Sequence, residues 1–316
     1  MRKMSNRLRN GSGKPEPGEL TRKKKSVDPD ERAGTAQVST LDRLLVLWKE
    51  EKHVLRQLSG KGAGPRTLHM ARRSLRISIR IGCLMKIAGL TDPVFMKRMR
   101  VLKRVYSRLG AFREQDVLED GWNRFIREYP GWGEREKIPG SENKKGYRRK
   151  RNRALSKALE KAETWARPVI ECFPEEDVDA GSRIFVQRVQ LVLANRNRTL
   201  LRLAGRWENL GPSGRHRLRK IAREIRETCE LVHKADPSFY GQGKMEGLLG
   251  RIVRVLGRIH DQDRIVERFS RLKRFSARDR MRAAAFWGWQ SGRTRCDRRR
   301  IVRLMKRYRK GLSVAV

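Results

Sequence analysis

The chain has 316 residues, with 77 Lys+Arg against 35 Asp+Glu and a formal net charge of +42. That excess points to polyanionic partners: nucleic acid, an acidic membrane surface or a free polyphosphate chain. Apolar residues make up 38% of the chain, enough for a core spread over long helices. No apolar run is long enough to span a bilayer, and the basic start lacks the apolar stretch of a secretory signal.

Residues 1 to about 38 are expected to form a disordered basic tail, because they are polar, charged and rich in Gly and Pro. The GSGK at Gly11 to Lys14 is not a phosphate-binding P-loop, since the earlier glycine and the preceding apolar strand are missing. From Ser39 onward the apolar periodicity is helical. Helices are expected at about 39–59, 65–88, 94–109, 115–129, 147–172, 182–206, 214–234, 244–257, 262–273 and 276–310, the last broken near Ser291 and Gly292. The longest internal loop, PGWGEREKIPGSENKKG, leads into the basic YRRKRNR. The four cysteines (Cys83, Cys172, Cys229, Cys296) are widely spaced, without a CxxC. They read as buried, reduced thiols of a cytosolic protein.

One offset organises the chain. His69 and His216 differ by 147, as do Arg72 and Arg219, Arg76 and Arg223, Pro65 and Pro212, Gly110 and Gly257, and Asp116 and Asp263. An offset held without insertions implies an internal duplication. The expected architecture is all-α: two pseudo-repeated helical bundles, about 39–172 and 182–310, related by a pseudo-twofold and enclosing a basic groove or pore.

Each copy carries a basic helix. In the first, His69, Arg72, Arg73, Arg76 and Arg80 fall within an arc of roughly 100°. Like charges at i,i+4 repel, so such a row suits an anion set against it. In the second, His216, Arg219, Lys220, Arg223 and Arg226 share one side, while Leu218, Ile221, Ala222, Ile225, Cys229 and Val232 share the other. The first helix is less clean, because Ile77 and Ile79 flank its basic face. The guanidinium fork matches paired phosphate oxygens. A solvated basic surface would account for one such helix; two with the same spacing favour anion binding.

Each copy also carries a Leu-Gly followed by acidic residues: Leu109, Gly110, Glu114 and Asp116, then Leu256, Gly257, Asp261 and Asp263. The glycines read as helix C-caps and the carboxylates as caps of the next helix. Two sharper roles are metal ligation, with His260 beside the second pair, and ion pairing with the arginines.

Together these residues resemble the CHAD family, the conserved histidine α-helical domain, over roughly Ser39 to Lys310. The pattern His-x-x-Arg-x-x-x-Arg is met by His69, Arg72 and Arg76. Leu-Gly-x-x-Arg-Asp-x-Asp-Val is met by Leu109, Gly110, Arg113, Glu114, Asp116 and Val117, with Glu114 in place of Asp. The second half repeats both, and AAAFWGWQSGR resembles the family's closing helix. Three positions depart from the first half: Glu227 stands at the place of Arg80, Gly250 at that of Lys103, and His260 at that of Arg113. The resemblance implies a pseudo-twofold helical domain, 39–310, that binds inorganic polyphosphate in a positively charged groove and can locate to polyphosphate granules. It carries no ExExK signature of the triphosphate-hydrolysing CYTH partner, which implies a stand-alone, non-enzymatic, cytoplasmic binder with no cofactor.

The expected polyphosphate-binding residues are the two rows together with Lys103, Arg104, Arg113, Arg251 and Arg254. The alternative is a protein that binds RNA or DNA. Single-strand binders stack bases on aromatic side chains, and neither row contains Phe, Tyr or Trp. Nucleic acid is therefore expected to bind chiefly at low salt, through charge alone.

Overall fold

The computed structural model describes residues 40–59, 64–89, 93–132, 138, 144–166, 178–239, 243–270 and 276–313. The expected basic tail and Cys172 lie outside them. Among the described residues the secondary structure is helical throughout, without strands. The long helices are α1 (Thr40–Ser59), α2 (Pro65–Ala88), α3 (Pro93–Glu128), α4 (Lys144–Ala166), α5 (Val178–Gly205), α6 (Pro212–Ala235), α7 (Gly243–Ser270) and α8 (Ala277–Ser313).

The matched helices α2 and α6 are each 24 residues long, and both start at a proline preceded by an extended glycine, Gly64 or Gly211. Proline suits the first helical position, where its missing N–H would have no partner. At the other end of α2, Gly89 takes φ 88°, and its N–H donates to Lys86 O at 3.1 Å. Left-handed backbone of this kind is open to glycine at little cost. The buried face of α6 is the expected one: Leu218, Ile221, Ala222, Ile225, Cys229 and Val232. The same register in α2 buries Ala71, Ser74, Leu75, Ser78, Gly82 and Met85. Small residues there bring α3 close. A Cβ on Gly82 would stand 2.5 Å from Met99 Sδ. The hydroxyl of Ser74 is satisfied on Glu51, at 2.8 Å from its carbonyl oxygen.

Two expected helix breaks are absent. α3 runs through Gly110 and α7 through Gly257, so these glycines are not C-caps, and the carboxylates beyond them are not N-caps. An interior glycine costs about 1 kcal/mol against alanine. Burial of the neighbouring Leu109 (0% exposed) and Leu256 (1%) outweighs it. The freed carboxylates pair instead. Asp116 accepts from the buried Arg151 at 3.1 Å, and Asp263 takes both arms of the Arg215 fork at 2.9 and 2.7 Å. The expected break at Ser291 and Gly292 is also absent, and α8 is continuous. Cys229 is buried as expected, but Cys296 is exposed because it falls on the outer face of α8.

Residues Val38–Val316 form one compact unit. Its main core joins α1, α2 and α6 through residues such as Trp48, Leu68, Leu75, Leu218, Ile225 and Val232, and reaches Tyr308 on α8. A smaller aromatic core gathers Trp122, Phe125, Phe286 and Ile265 from α3, α7 and α8. α2 packs on α3, α6 on α7, and α2 touches α6 directly, so the two basic helices face each other across the centre.

Candidate functional site

The centre of the site is set by four arginines, two from each basic helix. Arg72 and Arg76 on α2 interact electrostatically with Arg223 on α6, and Arg76 with Arg219. All four sit with their side chains largely withdrawn from water. Burial is the main reason that the Arg219 guanidinium is pushed down to about 10, with repulsion from Arg223 adding to it. Burial likewise lowers Arg72 and Arg223, and neighbouring arginines add to the effect. Two unit charges about 6 Å apart repel by about 3 kcal/mol at an effective dielectric near 20. The fold therefore holds its positive charge against a real cost.

Two residues that the sequence patterns did not single out complete the centre. Tyr106 on α3 lies beneath Arg72, whose guanidinium carbon is 4.6 Å from the ring centroid. Its phenol also interacts electrostatically with Arg76. Burial would raise the Tyr106 phenol, but Arg72, Arg76 and Arg223 outweigh it and the phenol is lowered. The second residue is Glu227, 4% exposed, with Oε1 2.6 Å from Arg76 Nε. This carboxylate carries Arg76 upward against burial. By contrast, Arg72, Arg219 and Arg223 make no ion pair among the described residues and feel only the more distant attraction of Glu114, Asp261 and Glu227 respectively. Tyr106 lies outside both rows, on α3, and Glu227 stands at the repeat position of Arg80, where the pattern predicts a cation.

The histidines mark the start of each row. His69 is lowered by burial and then by Arg113, Arg76, Arg72 and Arg73, which places Arg113 at that end. His216 stacks on His260 of α7, with ring centroids 4.6 Å apart and the two Nδ1 atoms at 3.3 Å. Burial, Arg219 and His216 push His260 down to about 3, so this pair is neutral at pH 7. Asp261, next to it, is raised by burial despite Arg219, Arg113 and Arg223. Arg264 reaches from α7 to Glu114 on α3 with both oxygens at 2.8–2.9 Å, bridging the two halves at this end.

The other expected residues lie further out. Arg80 pairs with Glu224 at 3.0 Å and Arg226 with Glu230 at 3.0 Å, at the far ends of the rows. Arg73 is exposed and lines a cleft of about 370 Å³ between α1, α2 and α6, together with Arg226 and Glu227. Lys220 is exposed on α6. Lys103 and Arg104 are exposed on α3, and Arg254 on α7, with no hydrogen bond or ion pair to the cluster. Arg251 lines a different cleft, against α8. Among the described residues no group of three or more His, Cys, Asp or Glu is placed to hold a metal ion. No described helix is long and apolar enough to cross a membrane.

Fold and site together define the class: an all-helical domain with a half-buried cationic centre shared by two matched helices. No family model matches the chain, and no curated protein matches it. Among solved structures, the crystal structure of the CHAD domain from the plant Ricinus communis is similar, with a TM-score of 0.59 and 15% sequence identity. The match covers 85% of this chain and 92% of that one. The chain has the CHAD fold.

Proposed function

We propose that the protein binds inorganic polyphosphate at this centre and does not turn it over. The observation that carries the proposal is the set of half-buried guanidiniums, Arg72, Arg219 and Arg223, none of which makes a close ion pair among the described residues, although Glu114, Asp261 and Glu227 attract them from further off. A buried cation is costly unless it is paired. A phosphate chain supplies paired oxygens at every phosphorus and no bulky group between them, which suits guanidiniums brought together from two helices. The fixed positive charge of the site binds without needing an acid, base or nucleophile. The CHAD fold supports the same ligand, and the pseudo-twofold groove implied by the repeat would let one chain touch both rows. The same contacts would hold the protein on polyphosphate granules.

Nucleic acid is the second candidate, since +42 attracts any polyanion. Arg72 already covers a face of the Tyr106 ring. That face is closed to base stacking, which favours a ligand without bases. The test is a competition titration with labelled long-chain polyphosphate at physiological salt. Unlabelled polyphosphate should displace the label at far lower phosphate concentration than RNA or DNA. Equal displacement by RNA would move the assignment to nucleic acid.

A further inference from the structure

We propose a second phosphate-binding track on the outer face of α8, which takes up polyphosphate chains long enough to leave the central cluster. The proposal rests on the polyphosphate reading of the centre. α8 is strongly two-sided. Ile301, Leu304, Met305 and Tyr308 are buried, while Arg298, Arg299, Arg300, Arg303 and Arg307 are all exposed. None of these five arginines forms a hydrogen bond or ion pair among the described residues.

Two clefts run along this face. One, of about 400 Å³, is lined by Arg251 of α7 with Arg300, Arg303 and Arg307. Its one lining carboxylate, Asp297, is already held by both arms of the Arg258 fork at 2.6 Å, so it does not neutralise the others. The second, of about 730 Å³, is lined by Arg215, Arg298, Arg299 and Arg303, and by one carboxylate, Glu208, which makes no ion pair among the described residues and is outnumbered four to one. Arg303 lines both, so its guanidinium stands on the ridge between the two clefts and can reach a chain in either. Arg215 precedes His216 in the first turn of α6, and its fork is fixed on Asp263. The track thus begins where the His216 end of the central row stops.

Four of these arginines, Arg299, Arg300, Arg303 and Arg307, share one face, with Arg298 on its flank. Such a row is expensive for a helix in isolation, because neighbours at i,i+4 repel. Arg299 and Arg303, and Arg303 and Arg307, are such neighbours. From Arg298 to Arg307 the helix rises about 14 Å, and from His216 to Arg226 about 15 Å, so the track is as long as the central row. A short chain can fill one of them; only a long chain can fill both. Engagement of the second segment is then intramolecular and adds to affinity without a second encounter.

The experiment compares tripolyphosphate with long-chain polyphosphate on the full chain. The variants are Arg299→Glu/Arg303→Glu and a charge-matched control, Lys97→Glu/Arg100→Glu, at exposed positions of α3. The α8 variant should lose about tenfold or more in affinity for the long chain and less than about twofold for tripolyphosphate. The control should lose less than about twofold for either. If the control loses as much as the α8 variant, α8 contributes diffuse charge and the track is wrong. The track is also wrong if long-chain affinity survives in the α8 variant, or if only RNA affinity falls. Failure of the central reading is separate: it would show as tripolyphosphate binding that is indifferent to Arg76→Gln and Arg223→Gln.

Discussion

Replacing Glu227 by Gln removes the one carboxylate that, among the described residues, forms an ion pair with any of the four central arginines. Glu227 is 4% exposed and stands 2.6 Å from Arg76 Nε. Breaking a buried pair by removing one partner strands the other charge, typically at about 3 kcal/mol. The amide keeps the volume of the side chain, which holds the loss to the lower end of that range. The same change removes a negative charge from the centre of the proposed site. At about 7 Å and an effective dielectric near 20, one such charge opposes a phosphate by about 2 kcal/mol. Screening reduces this to about 1 kcal/mol, or roughly fivefold in affinity. The assay is urea unfolding with and without saturating long-chain polyphosphate, with affinity measured on the same samples. The unliganded variant should unfold at lower urea with an unchanged m-value. Ligand should restore more stability than it adds to the wild type. A variant that is as stable as the wild type and binds no tighter would refute the role of Glu227 as internal counter-ion.

Three further outcomes follow from the same electrostatics. Arg219→Gln should raise thermal stability by about 1 kcal/mol, because it removes a buried unpaired charge, while weakening polyphosphate binding by about 1.5 kcal/mol or more; calorimetry and titration read the two. His260 is lowered to about 3 in the fold, so between that value and the ordinary histidine value near 6.5 the unfolded chain binds a proton that the folded chain does not. Stability should therefore fall as the pH drops from 7 to 5, by about 1 kcal/mol for this partly exposed ring after solvent screening, and His260→Asn should remove that part of the denaturation pH dependence. Asp116→Asn should cost about 3 kcal/mol in unfolding, because it strands the buried Arg151, yet leave polyphosphate affinity within twofold, since the pair lies on the α3–α4 side.

Much of this fold is written in local pattern. The boundaries of α2 and α6 follow from Gly-Pro at one end and the end of the periodic stretch at the other, and the stripe from Leu218 to Val232 is continuous enough to assign by spacing. The matching stripe of α2 was obscured because its buried positions include Ser74, Ser78 and Gly82, small residues that serve close packing and carry little hydropathy. The glycines in α3 and α7 read as helix ends for a related reason. Local propensity favours a stop at Gly110 and Gly257, and only tertiary burial of Leu109 and Leu256 keeps the helix going. At the site, the rows were legible as rows. Their buried meeting point, with Tyr106 from a third helix and Glu227 in place of an expected arginine, depends on long-range packing that periodicity does not encode. Arg251 shows the converse: repeat position suggested the centre, but its turn of α7 directs it to the cleft against α8.

The most direct test is an experimental structure of the full chain with bound long-chain polyphosphate. We expect phosphate density between α2 and α6, with oxygens within hydrogen-bond distance of Arg72, Arg76, Arg219 and Arg223. Phosphate found only on exposed basic surfaces, with those four guanidiniums untouched, would contradict the account.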